Sequence, residues 1–363
     1  MHIAIFCPNW IGDAVMATPA IAAIRHRHPK ARLIAVLKPY VEAVYHGCPW
    51  FDEVVQYHGP DPSHRLLSVA WRLRGIGIDI AVLFPNSFRS AFLAWLGGAK
   101  RIVGYARGGR SFLLSDPLPP VRDEIGRFVP SPILDAYNRL AEVLHCDPPG
   151  RRMFLYTLPE DEQVAEDVWR RHRLLDAYPV VLLNPGAAYG SAKHWPVEYF
   201  GQLAQMLVDR RGASVLVLCG PSEREMAGRI AELANRSVVT SLADEPVTIG
   251  LLKACIRRGD LLITTDSGPR HFAAAFDRPV VTLFGPTHIA WTETYFDKAV
   301  HLQKTVPCGP CQLRVCPLDH RCMKLLTPDE VFEAAMALLA RHLRQHSDRG
   351  WGWLPFRWNR RTG

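Results

Sequence analysis

The 363-residue chain contains no uninterrupted apolar stretch of the roughly 18 residues that a membrane-spanning helix needs. It also lacks a long Lys/Arg block and the usual nucleic-acid-binding motifs, so nucleic acid is not an expected partner. Cysteine is sparse, with nine in the whole chain. That is too few for a disulfide scaffold, and clustered thiols in a reducing compartment raise metal or redox chemistry instead. Met1–Cys7 enters a strand pattern directly, without the charged, apolar and small segments of a secretory signal. The expected location is therefore the cytoplasm. Charged residues are only 21% against 48% hydrophobic, a globular balance that excludes a disordered or fibrous chain.

What is present is enough chain for two cores, because single domains seldom reach this length. The formal net charge is +8, which favours anionic partners such as nucleotide phosphates or an acidic membrane surface. The positive charges are spread along most of the chain, so a phosphorylated or lipid-borne substrate accounts for them.

Short apolar runs alternate with stretches of helical spacing. Strands are expected at 2–7, 32–37 and 78–84, and helices at 14–26, 88–96 and 133–144. Residues 147–178 break the pattern with Pro148-Pro149-Gly150 and a charged surface helix over 160–173. The alternation then resumes with strands at 180–183, 214–218, 261–264 and 280–284. Helices are expected at 197–211, 223–234, 248–256, 268–276 and 328–343. Strand–helix alternation of this kind gives parallel sheets with helices on both faces. The expected fold is α/β, with two doubly wound domains at 1–158 and 175–343 and a basic, Trp-rich tail at 344–363. In such sheets ligands sit beyond the carboxyl ends of the strands.

Several loops at expected strand ends carry chemistry. Leu182–Pro196 runs from a strand through a small-residue loop to a helix start, an arrangement that offers backbone N–H groups to phosphate. Gly186 lies in that loop and Lys193 adds a mobile positive charge. A plain turn with a surface lysine is the competing reading. Asp13, after Asn9-Trp-Ile-Gly12, is either an N-cap or a general base held at a strand end. Asp266-Ser267-Gly268 opens a helix with His271 in its first turn, and suits a diphosphate. Asp266 itself would repel phosphate, so it is assigned to sugar hydroxyls or to orienting the loop. Thr287 is a phosphate donor or part of a plain turn. Glu223 is a ribose acceptor or a helix-start carboxylate. Asn86, Ser87 and Arg89 follow another strand, where Arg89 suits an oxyanion on the acceptor.

Four of these stretches together resemble the lipopolysaccharide heptosyltransferases of glycosyltransferase family 9. They are Asn9–Asp13, Pro85–Ala91, Asn184–Pro196 and Thr265–His271, in register over roughly residues 1–340. The second and third point to the type II branch. The resemblance implies a GT-B fold with two Rossmann-like domains facing a central cleft, acceptor on the N-terminal side and donor on the C-terminal side. It also implies inverting, metal-independent transfer of heptose from ADP-L-glycero-β-D-manno-heptose to the inner-core heptose of Kdo–lipid A, with no cofactor. By the same resemblance Asp13 is the catalytic base, Lys193 neutralises the donor phosphates, and Asp266, Ser267, Gly268 and His271 form the donor loop. From their own positions at strand ends, Gly186, Glu223 and Thr287 are also assigned to the donor, and Asn86, Ser87 and Arg89 to the acceptor. A related transferase using another nucleotide sugar, or a non-catalytic nucleotide-sugar binder, is the alternative.

Two segments stand outside that assignment. Cys308, Cys311, Cys316 and Cys322 are spaced C-x2-C-x4-C-x5-C, which suits either a tetrahedral metal or plain thiols in an ordered loop. The stretch 351–361 mixes tryptophans with arginines. That composition suits peripheral docking on the anionic inner membrane, or else an unstructured terminus.

Overall fold

The computed structural model describes residues 1–59 and 61–347. It contains two six-stranded sheets, and every strand pair in them is parallel. The first sheet is built from β1 (His2–Phe6), β2 (Arg32–Leu37), β3 (Glu53–Gln56), β4 (Ile80–Leu83), β5 (Arg101–Tyr105) and β6 (Asp116–Leu118). Its helices are α1 (Ile11–Met16), α2 (Thr18–Arg27), α3 (Pro39–Tyr45), α4 (Leu66–Ile76), α5 (Phe88–Leu96) and α6 (Ile133–Glu142). The second sheet comprises β7 (Val180–Asn184), β8 (Ser214–Val217), β9 (Val239–Ser241), β10 (Leu261–Thr265), β11 (Val280–Phe284) and β12 (Ala299–Gln303). Around it lie α7 (Pro159–Arg171), α8 (Val197–Arg211), α9 (Arg224–Ala234), α10 (Ile249–Arg258), α11 (Gly268–Ala275), α12 (Arg321–Lys324) and α13 (Pro328–Ser347).

The strand orders are β3-β2-β1-β4-β5-β6 and β12-β11-β10-β7-β8-β9. They are the same doubly wound order written twice. Strands β7, β10 and β11 are buried along their whole length, as central strands covered on both faces must be. This is the α/β architecture expected from the alternation.

The structure differs from expectation in instructive places. The helix expected over 14–26 is two helices. Pro19 lacks an N–H and its ring would crowd the carbonyl four residues back, so a continuous helix is excluded. Thr18 Oγ1 donates to the Val15 carbonyl at 2.7 Å at the break. Strands β3, β5, β6, β9 and β12 were not expected. β3, β6 and β9 are only three or four residues long, β5 opens on Arg101 and is interrupted by Gly104, and β12 is half-buried throughout, so none shows the continuous apolar run that marks the central strands. The charged stretch 160–173 forms α7, which packs on α10. Glu162 there accepts from Arg257 at 2.7 Å and from Arg258 at 3.1 Å. Most of the tail segment, residues 348–363, lies outside the described residues.

Candidate active site

The strand order reverses between β1 and β4 in one sheet and between β7 and β10 in the other. A crevice opens beyond the carboxyl ends of the strands at such a point. The loops after these four strands are the four that carry the sequence motifs. They come together because α1 meets α11 across the boundary between the two units. A Cβ on Gly12 would lie 2.8 Å from His271 Cδ2, and one on Gly268 would lie 3.1 Å from Ile11 Cγ2. A side chain at Gly12 would collide with the His271 ring, and one at Gly268 would require Ile11 to give way by a few tenths of an ångström.

Asp266 is the centre of the second unit's half of the site. Its Oδ2 accepts from Lys193 Nζ at 2.5 Å and from Thr287 Oγ1 at 2.7 Å. Its Oδ1 accepts from Arg270 Nη1 at 3.3 Å. Burial alone would raise the Asp266 carboxyl, but Lys193 and Arg270 overcome it and hold the group well below the ordinary range. Asp266 is therefore a fixed anion that positions cations. It is buried, and its oxygens are occupied rather than open to sugar hydroxyls. This removes the difficulty of a carboxylate beside phosphate.

Lys193 is likewise not the mobile surface cation that composition suggested. It is buried in a short 3-10 turn, Ser191–Lys193. Its ammonium also donates to the Asp266 carbonyl at 2.8 Å and sits 4.8 Å from the Tyr189 ring centroid. An ammonium has three protons. Two are taken by Asp266, and one remains for a ligand.

Asp13 stands on the other side. It is the third residue of α1, whose N-cap is Trp10, so the N-cap reading of Asp13 does not hold. No hydrogen-bond donor among the described residues reaches its carboxylate. Enclosure by protein raises its pKa to about 7, with Asp266 adding to the rise and Lys193 opposing it. An unpaired carboxyl that titrates near neutrality is suited to general-base work.

The remaining predicted donor residues take defined places. Gly186 lies under the Glu223 side chain, and a Cβ there would overlap the Glu223 carboxylate. Glu223 Oε2 accepts from the Gly220 N–H at 2.8 Å. Ser267 Oγ accepts from Asn184 Nδ2 at 3.1 Å and lies 3.2 Å from Thr264 Oγ1. Ser267 does not cap α11 with its side chain. Thr287 gives its proton to Asp266 instead of keeping it for phosphate. His271 is buried against Gly12, its Nδ1 without a partner, and burial together with Arg270 holds its pKa well below the usual histidine value. It enters the site as a neutral ring at the junction of the two units. On the first unit, Ser87 Oγ caps α5 through the Ser90 N–H at 3.3 Å. Arg89 Nη1 lies 2.8 Å from His58 Nε2, and Asn86 Oδ1 accepts from Arg110 at 3.3 Å.

The model of glycosyltransferase family 9 (heptosyltransferase) matches residues 66–321 of this chain. The chain belongs to glycosyltransferase family 9. It is 28% identical to a Campylobacter jejuni lipooligosaccharide heptosyltransferase 2, covering 93% of this chain and 98% of that protein. It is 26% identical to the Escherichia coli lipopolysaccharide heptosyltransferase 2, over 93% of this chain and 99% of the relative. The solved structure of E. coli ADP-heptose LPS heptosyltransferase II superposes with a TM-score of 0.76 at 24% identity, covering 94% of this chain and all of that one. This likeness shows that the fold is GT-B, and the family makes the protein a glycosyltransferase.

In this family 9 enzyme, further residues with no signal of their own in the sequence hold the crevice loops. Asn184 and Thr264 are register partners on β7 and β10, and their side chains bond at 3.0 Å. Arg270 backs Asp266 from inside α11. Arg110 is fully buried without a carboxylate. Its guanidinium donates to the carbonyls of Pro85, Ser87 and Tyr105 and so shapes the 85–90 loop. Burial lowers its pKa to about 10. No spacing in the sequence flags an arginine bound only to backbone and neutral side chains.

The cysteine-bearing segment lies directly on the Lys193 loop. Tyr189 Oη donates to the Gln312 carbonyl at 2.6 Å, and the Ala192 N–H to the Arg314 carbonyl at 3.0 Å. The Arg314 guanidinium reaches to 5.5 Å from the Tyr189 ring and 5.9 Å from that of Trp10, on the other unit. The four cysteines line one small cavity beside Ala192 and Pro286. Among the described residues, no three His, Cys, Asp or Glu side chains are arranged to share a metal ion.

Proposed function

We propose that this enzyme moves heptose from ADP-L-glycero-β-D-manno-heptose to the inner-core heptose of heptosyl-Kdo2–lipid A, with inversion at the anomeric carbon and without a metal. The unit of residues 1–158 takes the acceptor and that of 175–343 the donor. The observation that carries this reading is Asp13, an unpaired carboxyl with a pKa of about 7, facing the Lys193–Asp266 pair across the crevice. The relatives are heptosyltransferases of lipooligosaccharide and lipopolysaccharide, and the solved neighbour is an ADP-heptose LPS heptosyltransferase, which supports this sugar, donor and acceptor class.

In this mechanism an acceptor hydroxyl gives its proton to Asp13 as its oxygen bonds to the anomeric carbon. The bond from that carbon to the diphosphate breaks on the opposite side, and ADP departs with the electron pair. Negative charge grows on the diphosphate during the step. The third proton of Lys193 and the Gly268 N–H, at the positive end of the α11 dipole, stabilise it. Asp266 fixes Lys193 beforehand, so little reorganisation is needed. Glu223 over Gly186 accepts from the ribose hydroxyls. Arg89, Asn86 and Ser87 line the acceptor side.

The deciding experiment is transfer with ADP-heptose, against UDP- and GDP-sugars, onto lipid A–Kdo acceptors bearing zero, one or two heptoses. Turnover is expected with ADP-heptose on the one-heptose acceptor. Preference for another nucleotide sugar would support the related-transferase reading. Donor binding without any transfer would support a non-catalytic binder.

A further inference from the structure

We propose that the outer face of α4 and α5 docks on an anionic lipid bilayer. These helices lie side by side in one layer over the first sheet, joined by Arg74 Nη2 donating to the Leu96 carbonyl at 3.2 Å. The solvent face of such a helix is ordinarily polar. Here it is aromatic. Phe88, Phe92 and Trp95 follow one another along α5 with ring centroids 6.0 and 5.8 Å apart, and Phe112 extends the ladder from Phe88 at 6.2 Å. On α4, Leu67 and Trp71 stand one turn apart. Trp71 is 71% exposed, Phe112 77% and Trp95 53%. An exposed apolar surface of this kind marks an interaction site.

The charge around it selects the occupant. From His64 to Ser115 the chain has eight Lys and Arg residues and a single acidic one, Asp79, and that one is paired with Lys100 at 2.7 Å. Arg72 on α4 is paired with Glu53 at 2.8 Å, but Arg65 at the N-cap of α4, Arg74 at the α4–α5 seam and Arg89 on α5 meet no carboxylate among the described residues. Aromatic rings flanked by arginines whose charge no carboxylate neutralises match the headgroup zone of an anionic bilayer, where rings enter the interface and guanidinium groups meet phosphates. The ladder begins at Phe88, between Ser87 and Arg89. A membrane against it would therefore present lipid-borne sugars at the acceptor side of the crevice. This inference rests on the lipid-linked acceptor of the proposed function.

The test is flotation of the full-length chain with vesicles of phosphatidylethanolamine and phosphatidylglycerol, and with vesicles of phosphatidylcholine alone. The wild type is expected to float with the anionic vesicles and to come off several-fold in about 0.5 M salt. The triple variant Trp71→Ser/Trp95→Ser/Phe112→Ser should lower the bound fraction about tenfold and keep wild-type transfer to a deacylated, water-soluble acceptor. A full-length Trp351→Ser/Trp353→Ser/Trp358→Ser variant separates this face from the tail and should float like the wild type. The proposal is overturned by flotation lost only in the tail variant, and equally by a wild-type dimer that the α4–α5 variant dissociates, since the face would then be a contact between copies. Transfer to soluble acceptor without flotation removes the docking surface and leaves the function standing. Flotation without transfer to any acceptor does the reverse.

Discussion

At the residue scale, Asp13 ties activity to stability. Its native pKa of about 7 lies above the 3.8 of an ordinary aspartate. The native state thus binds the proton more tightly, and stability from this group falls as pH rises from about 4 to 7. The base form grows over the same range, so kcat/KM should rise about tenfold per pH unit below 7 and level off above it. Asp13→Asn should erase that limb and lower kcat by roughly 10²–10⁴-fold. It should leave ADP affinity unchanged and stabilise the fold at pH 8 by on the order of 2 kcal/mol, read as a higher Tm. A large loss of ADP affinity would instead give Asp13 a structural role. Lys193→Ala should lower kcat by about 10²-fold or more. Asp266 keeps Arg270 and Thr287 in that variant, so it should stay folded. A wild-type turnover rate there would remove Lys193 from the reaction. The sequence made Lys193 and Asp13 visible through their loops, but not Asp266's work. A carboxylate beside a phosphate site looks wrong until the two cations that neutralise it are seen, and one of them lies 73 residues away.

At the element scale, the central strands were legible because they are buried on both faces and read as unbroken apolar runs. The edge strands were not, since β6 and β12 gain their strand character from a neighbour rather than from their own composition. The start of α1 was displaced for a related reason. Ile11, Gly12 and Asp13 have no helical signal of their own, and α1 is set by what packs on it. The segment carrying Gln312 and Arg314 could be read only as a cysteine spacing, yet its backbone seats the Lys193 loop. Gly190 is where that seat is tightest, because a Cβ there would fall 2.3 Å from the Arg314 carbonyl oxygen. Gly190→Ala should therefore cost about 1–3 kcal/mol of stability. It should also lower kcat about tenfold by shifting Lys193. Gly212→Ala is the control. Gly212 ends α8 in the left-handed region with open space around it, so it should lose about 1 kcal/mol and no activity. Equal kinetic losses in the two variants would show that the segment does not position Lys193.

At the scale of the whole molecule, the same strand order occurs twice, and each copy offers one switch point. The proposed chemistry needs both, since Asp13 stands on one unit and Lys193 on the other. Their separation is set where α1 meets α11, through Gly12 on His271 and Gly268 on Ile11. This contact lies between residues more than 250 apart in the chain, which is why the sequence shows two glycines at two helix starts and nothing of their meeting. A side chain at Gly12 would press on the His271 ring at the junction and wedge the units apart, without reaching Lys193 or Asp266. Gly12→Val is therefore expected to leave ADP binding to the second unit within about twofold, because every donor contact there is internal to that unit. It should lower kcat by about 10²-fold, the scale of a misplacement near 1 Å between reacting groups. Small-angle scattering should show a larger radius of gyration than the wild type. If kcat falls together with ADP affinity at unchanged dimensions, Gly12 acts within the donor site instead of setting the distance across the crevice.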